Sequence, residues 1–336
     1  MQLIVLGMHR SGTSAVCRIL NMMGAYFGPE GSSTGFNAEN PKGFWERKDI
    51  RKMNDSALFE AKADWYKVAD FSYTIIPDQM KEQYTDTARS LVHELDAHRP
   101  WVIKEPRLCL LLPLFLPILE VPVCIHVYRN PLQVAQSLNS RNGFPLNFGI
   151  ALWEKYTLSA LSNTRGLSNV LISYAGLIER PVETVRNLFE ELVSMGIQGL
   201  KCPINKEINA FIDKSLFRER DDPNLVKKEY LNYAQVKLFQ SLENNSVFNY
   251  KKFPTLSSGA LDVLRDFEAQ DEKIRELLKS ISVIEERHQN LYKHSGWIEQ
   301  MNMGISAILS SRCWRFGKTA GELVRRIMFK AKVPRR

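Results

Sequence analysis

The sequence has few cysteines, few histidines and no long apolar run. Its five cysteines are scattered and form no C-x-x-C pair, which is typical of reduced core residues rather than of a disulfide framework. No apolar stretch reaches the length of a membrane span, and the first apolar run is too short for a secretory signal. The six histidines show no ligand spacing, so we expect no metal. We therefore expect a cytoplasmic protein.

A glycine-bounded loop near the start lies between an apolar run at residues 3–6 and a helical pattern at residues 15–23. The loop reads Gly7-Met8-His9-Arg10-Ser11-Gly12-Thr13-Ser14. Strand, loop and helix in this order are the context of a phosphate-binding loop, whose backbone N–H groups attract an anion. A Walker loop has a lysine where Thr13 stands, and here the cation is Arg10. The loop predicts a phosphorylated ligand other than a magnesium nucleoside triphosphate.

A second anion site is predicted more than a hundred residues later. Residues 121–128 are apolar and β-branched, and Arg129 follows them at the expected end of a strand. Ser137 lies about two turns into the next helical pattern. Ligands bind at this edge of open α/β sheets, and arginine offers a planar fork of donors for phosphate. Together the two sites predict one nucleotide with two separated phosphate groups.

These elements resemble the sulfotransferase family, which uses 3′-phosphoadenosine 5′-phosphosulfate (PAPS) as donor. The glycine-bounded loop resembles that family's 5′-phosphosulfate loop, and Arg129 through Ser137 resembles its 3′-phosphate site. Lys104-Glu105-Pro106-Arg107 is similar to a Lys-Asp-Pro-Arg element of bacterial and Golgi-type members, with Glu105 in place of aspartate. The segment 40–46, which ends in Gly-Phe-Trp-Glu, is similar to one in bacterial members. The resemblance covers about residues 1–220. The sequence lacks the glycine-rich C-terminal loop found in the cytosolic members that act on small molecules.

The resemblance implies a role for each part of the site. The residues of the donor-binding loop are His9, Arg10, Ser11, Gly12, Thr13 and Ser14. Arg129 and Ser137 would bind the 3′-phosphate, and Tyr174, expected at the end of a strand, would contact the adenine. Arg10 and Lys104 would hold the sulfuryl group and the bridging oxygen as negative charge develops. No metal would be required, and the nucleotide product would be 3′-phosphoadenosine 5′-phosphate (PAP).

An acceptor hydroxyl needs a general base, and several carboxylates are candidates. Glu46 is the first choice because it ends the Gly-Phe-Trp-Glu element, whose aromatic residues could exclude water. Glu105, next to Lys104, is the second choice. Glu30 and Glu39 also follow the first loop, and His9 is a weaker candidate inside it. The alternative for each carboxylate is an ordinary loop carboxylate or an ion-pair partner.

The order of the elements predicts an α/β fold with a three-layer parallel sheet of P-loop or sulfotransferase type and a helical C-terminal extension. Strands are predicted at 2–6, 101–104, 121–128 and 169–174. Helices are predicted at 13–24, 49–63, 84–97, 108–118, 131–140, 147–165 and 181–195. We expect a catalytic domain at 1–220, an irregular helical linker at 221–258 and the extension at 259–336.

The extension contains two patterns. Leu264, Phe267, Ile274, Leu278 and Ile281 are near heptad spacing, with Asp271 and Glu285 between them, which indicates a short coiled coil or helical hairpin and a homodimer. Residues 312–336 hold nine lysines and arginines against one glutamate. This basic amphipathic pattern favours the anionic inner face of a membrane, and the alternative is docking on the catalytic domain. Ser311-Arg312-Cys313-Trp314-Arg315 resembles an element at the ends of bacterial surface-polysaccharide enzymes.

From these observations we expect a sulfotransferase that modifies a hydroxyl of a glycan or a lipid-linked oligosaccharide, and we expect no nucleic-acid partner. Two other functions are open from the sequence. One is a P-loop kinase with a variant phosphate loop, which would need magnesium. The other is a non-catalytic, membrane-associated adaptor that keeps the fold.

Overall fold

The computed structural model describes residues 1–35, 43–212, 230–249, 254–291, 301 and 303–307. Its strands are β1 (Gln2–Leu6), β2 (Trp101–Lys104), β3 (Pro122–Tyr128) and β4 (Ser168–Ser173). The longer helices, in chain order, are α1 (Thr13–Met22), α2 (Lys48–Glu60), α3 (Asp78–Asp96), α4 (Leu108–Phe115), α5 (Pro131–Asn142), α6 (Leu146–Asn163), α7 (Tyr174–Glu179), α8 (Pro181–Ser194), α9 (Asn205–Phe211), α10 (Tyr233–Glu243) and α11 (Ser258–Leu291).

The four strands form one parallel sheet in the order β2-β1-β3-β4. Leu3 pairs with Val102 on one side and with Val123 on the other, so β1 is a central strand. All five residues of β1 are buried, as expected for a parallel strand covered on both faces. The chain moves from β1 to one neighbour and then crosses to the other. The switch point where ligands bind in such sheets therefore lies beyond the carboxyl ends of β1 and β3.

Two hydrophobic cores cover the two faces of the sheet, because successive strand residues point to opposite sides. Leu3 and Val5 pack with helices α1 and α8, whereas Ile4 and Leu6 pack with helices α2 to α6. The predicted α/β class with three layers is therefore confirmed. Among the described residues, no helix is long and apolar enough to cross a membrane.

Helix α10 and the first turns of α11 join the second of these cores. Leu238 and Leu242 of α10 and Leu264 of α11 are buried together with Ile4 and the α6 residues. Their packing is fixed by Glu154 of α6, whose carboxylate accepts hydrogen bonds from Gln235 Nε2, Ser257 N and Ser257 Oγ at 2.7–2.9 Å. In the described residues, the core thus extends past residue 220. The proposed three-part division of the chain stays a prediction.

Within α11 the chain forms one continuous helix rather than a hairpin. Phe267 stacks on Phe148 of α6, with ring centroids 3.7 Å apart, and Asp271 forms an ion pair with Lys67 at 2.9 Å. Asp271 breaks the apolar heptad pattern because this helix face binds the protein's own surface. The basic segment 312–336 and the element at 311–315 lie outside the described residues.

Tyr174 is not at the end of a strand, as the sequence predicted, but is the first residue of α7. The reason is local, since Ser173 Oγ accepts a hydrogen bond from the amide of Gly176 at 3.2 Å and so caps a new helix. Helix α3 begins at Asp78, six residues before its predicted start at 84. Its first turn follows Pro77, a residue that commonly precedes or opens a helix.

Candidate functional site

The loop after β1 turns sharply between two glycines that accept no larger residue. A Cβ on Gly7 would lie 2.5 Å from the carbonyl oxygen of Val127, because the loop leaves β1 directly beside the end of β3. Gly12, with φ of 92°, is the residue before α1 and provides no side-chain cap. The first amides of α1 consequently face the loop, and an anion would find backbone donors there.

Arg10 connects the two predicted anion sites. Its backbone is in the left-handed region, with φ of 72°, and its Nε donates to Ser137 Oγ at 2.9 Å. Arg129 Nη1 in turn donates to the carbonyl oxygen of Arg10 at 3.1 Å, and Arg129 Nε donates to Gln133 at 3.0 Å. The loop after β1 and the segment after β3 therefore form one site, with Arg129 and Ser137 both buried.

Tyr174 forms the wall of this site that faces Gly12. A Cβ on Gly12 would meet the Cδ2 atom of the Tyr174 ring at only 2.1 Å, so the ring lies directly against the loop. The guanidinium of Arg129 lies 4.9 Å from the centre of the same ring, a cation–π distance. Tyr174 is thus held between the loop and Arg129, where the predicted nucleotide site lies.

Lys104 and Glu46 form a buried ion pair. Lys104 is the last residue of β2, and its Nζ donates to Glu46 Oε1 at 2.6 Å. The Glu46 segment is tied to the anion loop, since Ser14 Oγ donates to the carbonyl oxygen of Phe44 at 2.7 Å. The structure therefore brings together Lys104 and the first-choice base, both next to the loop that carries Arg10.

Glu105, the second-choice base, occupies a different environment from Glu46, and its role as a base stays a prediction. Its side chain is 0% exposed, and its oxygens accept hydrogen bonds from Asn54 Nδ2 at 2.5 Å, Arg107 Nη1 at 2.5 Å and the Arg107 amide at 3.1 Å. Burial raises the pKa of Glu105, while Arg107 acts in the opposite direction. Tyr84 extends the network by donating to Asn54 Oδ1 at 2.7 Å. Glu105 thus holds the side chains of Arg107 and Asn54 in position.

His9 packs against two aromatic residues outside the loop. Its ring packs 4.8 Å from Trp65 and 5.9 Å from Tyr156, and its Nε2 is buried without a hydrogen-bond partner in the described part of the chain. Burial lowers the pKa of His9 well below its ordinary value, and the charges of Arg107, Lys104, Arg141 and Arg10 lower it further. The imidazole is therefore neutral at pH 7 and sits within a cluster of cations.

The remaining loop residues fit a bound anion. Ser11 Oγ is buried and finds no hydrogen-bond partner among the described residues, and such an atom calls for a water or a ligand. Thr13 is buried, with its methyl group near Gly7. Cys109 of α4 contacts the loop directly, because its sulfur accepts a hydrogen bond from Gly7 N at 3.2 Å. Burial raises the pKa of Cys17 and Cys109 to about 12, so both thiols are packing residues.

The other candidates are more distant or not described. Glu30 is exposed and lines a cavity of about 480 Å³ with Phe27, Ser32 and Trp45. Glu39 and residues 40–42 lie outside the described residues. No group of three or more His, Cys, Asp or Glu side chains that could hold a metal occurs in the part of the chain that the structure describes.

Sequence reasoning missed three contributors to the site. Trp65 packs on His9, Asn54 binds Glu105, and Tyr156 donates to the Trp65 carbonyl oxygen at 2.6 Å. Each contact joins residues that are at least fifty positions apart, and none of the three residues stands in a recognisable motif. Arg107 is part of the Lys-Glu-Pro-Arg element. Its position three residues after Lys104 is the sequence feature that could have indicated its place in the site.

No protein-family profile and no curated protein matches the chain. Among solved structures, the sulfotransferase domain from the curacin biosynthetic pathway is 15% identical, with a TM-score of 0.39, over 79% of this chain and 96% of that domain. The sulfotransferase domain from the Synechococcus PCC 7002 olefin synthase is 15% identical, with a TM-score of 0.39, over 80% of this chain and 94% of that domain. A sulfotransferase from Mycobacterium avium is 14% identical, with a TM-score of 0.38, over 76% of this chain and 78% of that protein. Likenesses this distant do not assign an activity, so we derive function from the chain's own residues.

Proposed function

We propose that this protein transfers a sulfuryl group from PAPS to a hydroxyl of a glycan or glycolipid. One observation carries the proposal, namely the hydrogen bond from Arg10 Nε to Ser137 Oγ at 2.9 Å. It joins the loop after β1 to the segment after β3, so a single nucleotide with two phosphate groups can span both.

The loop and the Arg129 segment have the donors that such a nucleotide needs. Ser11 Oγ lacks a partner within the described residues, and Gly12 leaves the α1 amides uncapped. Arg129 and Ser137 would bind the 3′-phosphate, and Tyr174 offers an aromatic face beside them. PAPS would supply a sulfuryl group on a phosphate leaving group, which needs charge stabilisation more than covalent assistance from the protein.

The chain's own groups divide the chemical work. Arg10 and Lys104 would stabilise negative charge on the leaving phosphate oxygen, while Glu46 Oε would accept the proton of the acceptor hydroxyl. Because Glu46 is bonded to Lys104, its carboxylate is oriented before the acceptor binds.

Calorimetry with PAP and with ATP, each with and without magnesium, tests the donor assignment. We expect PAP to bind without magnesium and more tightly than ATP. Arg129→Gln should weaken PAP binding by about 30-fold, since a charge-assisted phosphate contact is worth about 2 kcal/mol. Arg165→Gln is the matched control, because this exposed arginine lies on the loop between α6 and β4 and outside the site.

Two results would overturn the proposal. The first is tighter binding of magnesium-ATP than of PAP, which would favour a kinase with a variant phosphate loop. The second is an equal loss of PAP affinity in the Arg129 and Arg165 variants, which would remove the 3′-phosphate site. If PAP binds normally but no hydroxyl compound accepts a sulfuryl group, the adaptor function is favoured.

The partners follow from the acceptor class. We propose that a cytoplasmic, lipid-linked oligosaccharide is modified at the inner membrane face, with the basic segment 312–336 as the attachment. That segment lies outside the described residues, so its support is its sequence alone. A homodimer through 259–293 is likewise a proposal, and its test is the mass of the full chain in solution.

A further inference from the structure

The helical extension reaches the candidate site through a short segment, residues 64–72, that follows α2. One face of α11 carries charged residues that recur every three or four positions, the spacing of neighbours on a helix. All of them bind this segment. The contacts are Arg265 with Asp70, Glu268 with the Ala69 amide, Asp271 and Glu272 with Lys67, and Arg275 with Tyr66.

These contacts are short and include both backbone and side chains. Glu268 Oε1 accepts from Ala69 N at 2.8 Å, and Arg275 Nη2 donates to the Tyr66 hydroxyl at 2.6 Å. Lys155 of α6 holds the same segment, since its Nζ donates to the carbonyl oxygens of Ala69 and Phe71. The segment is therefore clamped by contacts from both α11 and α6.

The clamped segment places an aromatic wall beside the anion loop. Trp65 lies 4.8 Å from His9 and 5.6 Å from Phe144, and Tyr66 lies 5.3 Å from Phe144. Trp65, Tyr66 and Phe144 are all partly exposed. They lie beside His9, whereas Ser137 and Arg129 contact Arg10, the next residue of the loop. An acceptor that approaches the loop past His9 would therefore meet these three rings.

On the basis of the proposed sulfotransferase function, we propose that α11 helps to form the acceptor-binding surface of the candidate site. It holds Trp65 and Tyr66 so that, with Phe144, they form the surface on which a neutral sugar ring of the acceptor packs. Pyranose rings have an apolar face that suits an aromatic wall of this kind, and their hydroxyls suit the polar groups around His9. His9 Nε2, buried and without a partner among the described residues, is a hydrogen-bonding group next to this aromatic wall.

The test uses the full-length protein, labelled PAPS and the methyl glycosides of glucose, galactose, mannose and N-acetylglucosamine as acceptors. Trp65→Ala should raise the acceptor KM about tenfold, and Trp65→Phe should restore part of it. The clamp variant Arg265→Gln/Asp271→Asn should raise the acceptor KM in the same direction. In all three variants the affinity for PAP should stay within about twofold of the parent.

Glu276→Gln is the matched control, because Glu276 is exposed on the same helix and makes none of the clamp contacts. Hydrogen exchange at residues 64–72 should accelerate in the clamp variant and not in this control. Faster exchange without a change in acceptor KM would overturn the inference, since α11 would then be only structural. Failure of all four glycosides as acceptors, with PAP still bound, would overturn the acceptor class. Failure of the parent protein to bind PAP would instead remove the proposed function.

Discussion

Lys104 Nζ lies 2.6 Å from Glu46 Oε1, and both side chains are buried. The cation proposed to stabilise the leaving group and the carboxylate proposed to take the acceptor's proton are therefore bonded to each other. An acceptor hydroxyl that bonds to Glu46 enters a pair that is already neutral overall. This arrangement limits the cost of burying either charge.

Removal of one member of this pair should be more harmful than removal of both. Lys104→Met leaves the Glu46 carboxylate buried without its partner, which should lower the free energy of unfolding by about 3–5 kcal/mol. The double variant Lys104→Met/Glu46→Gln should recover most of that loss. Chemical denaturation of the parent, the two single variants and the double variant measures the coupling. Strictly additive effects would contradict it.

Sulfuryl transfer should respond differently from stability in the same four proteins. Each single variant should lose at least about a hundredfold in kcat, since a charge-stabilising group or the base is missing. The double variant should remain inactive although it is stable. Recovery of transfer together with stability would assign the pair a structural role alone.

Gly12→Ala should disrupt the site more than a glycine substitution of the same backbone strain elsewhere. Gly12 and Gly166 have φ of 92° and 81°, but only at Gly12 would the new Cβ meet a neighbour, the Tyr174 ring. Gly166→Ala should cost about 1 kcal/mol of unfolding free energy and leave PAP binding unchanged. Gly12→Ala should cost more and weaken PAP binding at least about tenfold, because Tyr174 must move. Calorimetry and thermal unfolding of both variants check this, and equal effects would refute it.

The variant Glu105→Gln should show which of the two carboxylates, Glu46 or Glu105, is the general base. The substitution keeps the shape of the side chain but removes the charge that holds Arg107, so stability should fall by about 2–4 kcal/mol. Transfer by the folded protein should persist with an unchanged pH profile, since the Glu105 side chain is fully buried. Loss of the acidic limb of that profile in Glu105→Gln would show that Glu105, and not Glu46, is the base.

His126 should make the fold less stable in mild acid. Burial lowers its pKa from 6.5 to about 4, and a hydrogen bond with Asn169 opposes part of that shift. Between these two values the unfolded chain binds more protons than the folded one, so stability falls as the pH falls. The contribution is complete above pH 6.5, is lost near pH 4 and amounts to about 3 kcal/mol. His126→Gln should flatten the dependence in this window, as measured by denaturation at several pH values. An unchanged slope would contradict the assignment.

The sequence predicted the sheet because its strands are short apolar runs with polar boundaries, and it predicted the anion loop because glycine spacing is local information. Tyr174 shows where such information ends. Its place after an apolar run indicated a strand end, but the cap from Ser173 Oγ starts a helix there. A serine cap competes with strand extension, and the apolar pattern does not reveal which one prevails.

The ion pair between Lys104 and the candidate general base Glu46 was only partly predictable. Glu46 and Lys104 stood in recognisable elements, but their direct bond depends on how residues 43–47 cross the end of β2. Glu105 has the same charge as Glu46 and also stands in a recognisable element, yet its side chain is fully buried and accepts hydrogen bonds from three donor atoms. The contacts of α11 with residues 64–72 join positions about two hundred apart, and no pattern within either segment points to the other.

The hydrogen bonds of the Glu154 carboxylate also determine where the protein chain can be truncated. A clone that stops at residue 220, where the recognisable motifs end, would leave this buried carboxylate without Gln235 and Ser257. It would also strip Leu238, Leu242 and Leu264 from the hydrophobic interior. We expect such a fragment to aggregate, whereas one that ends after α11 would keep these contacts of Glu154 and these leucines.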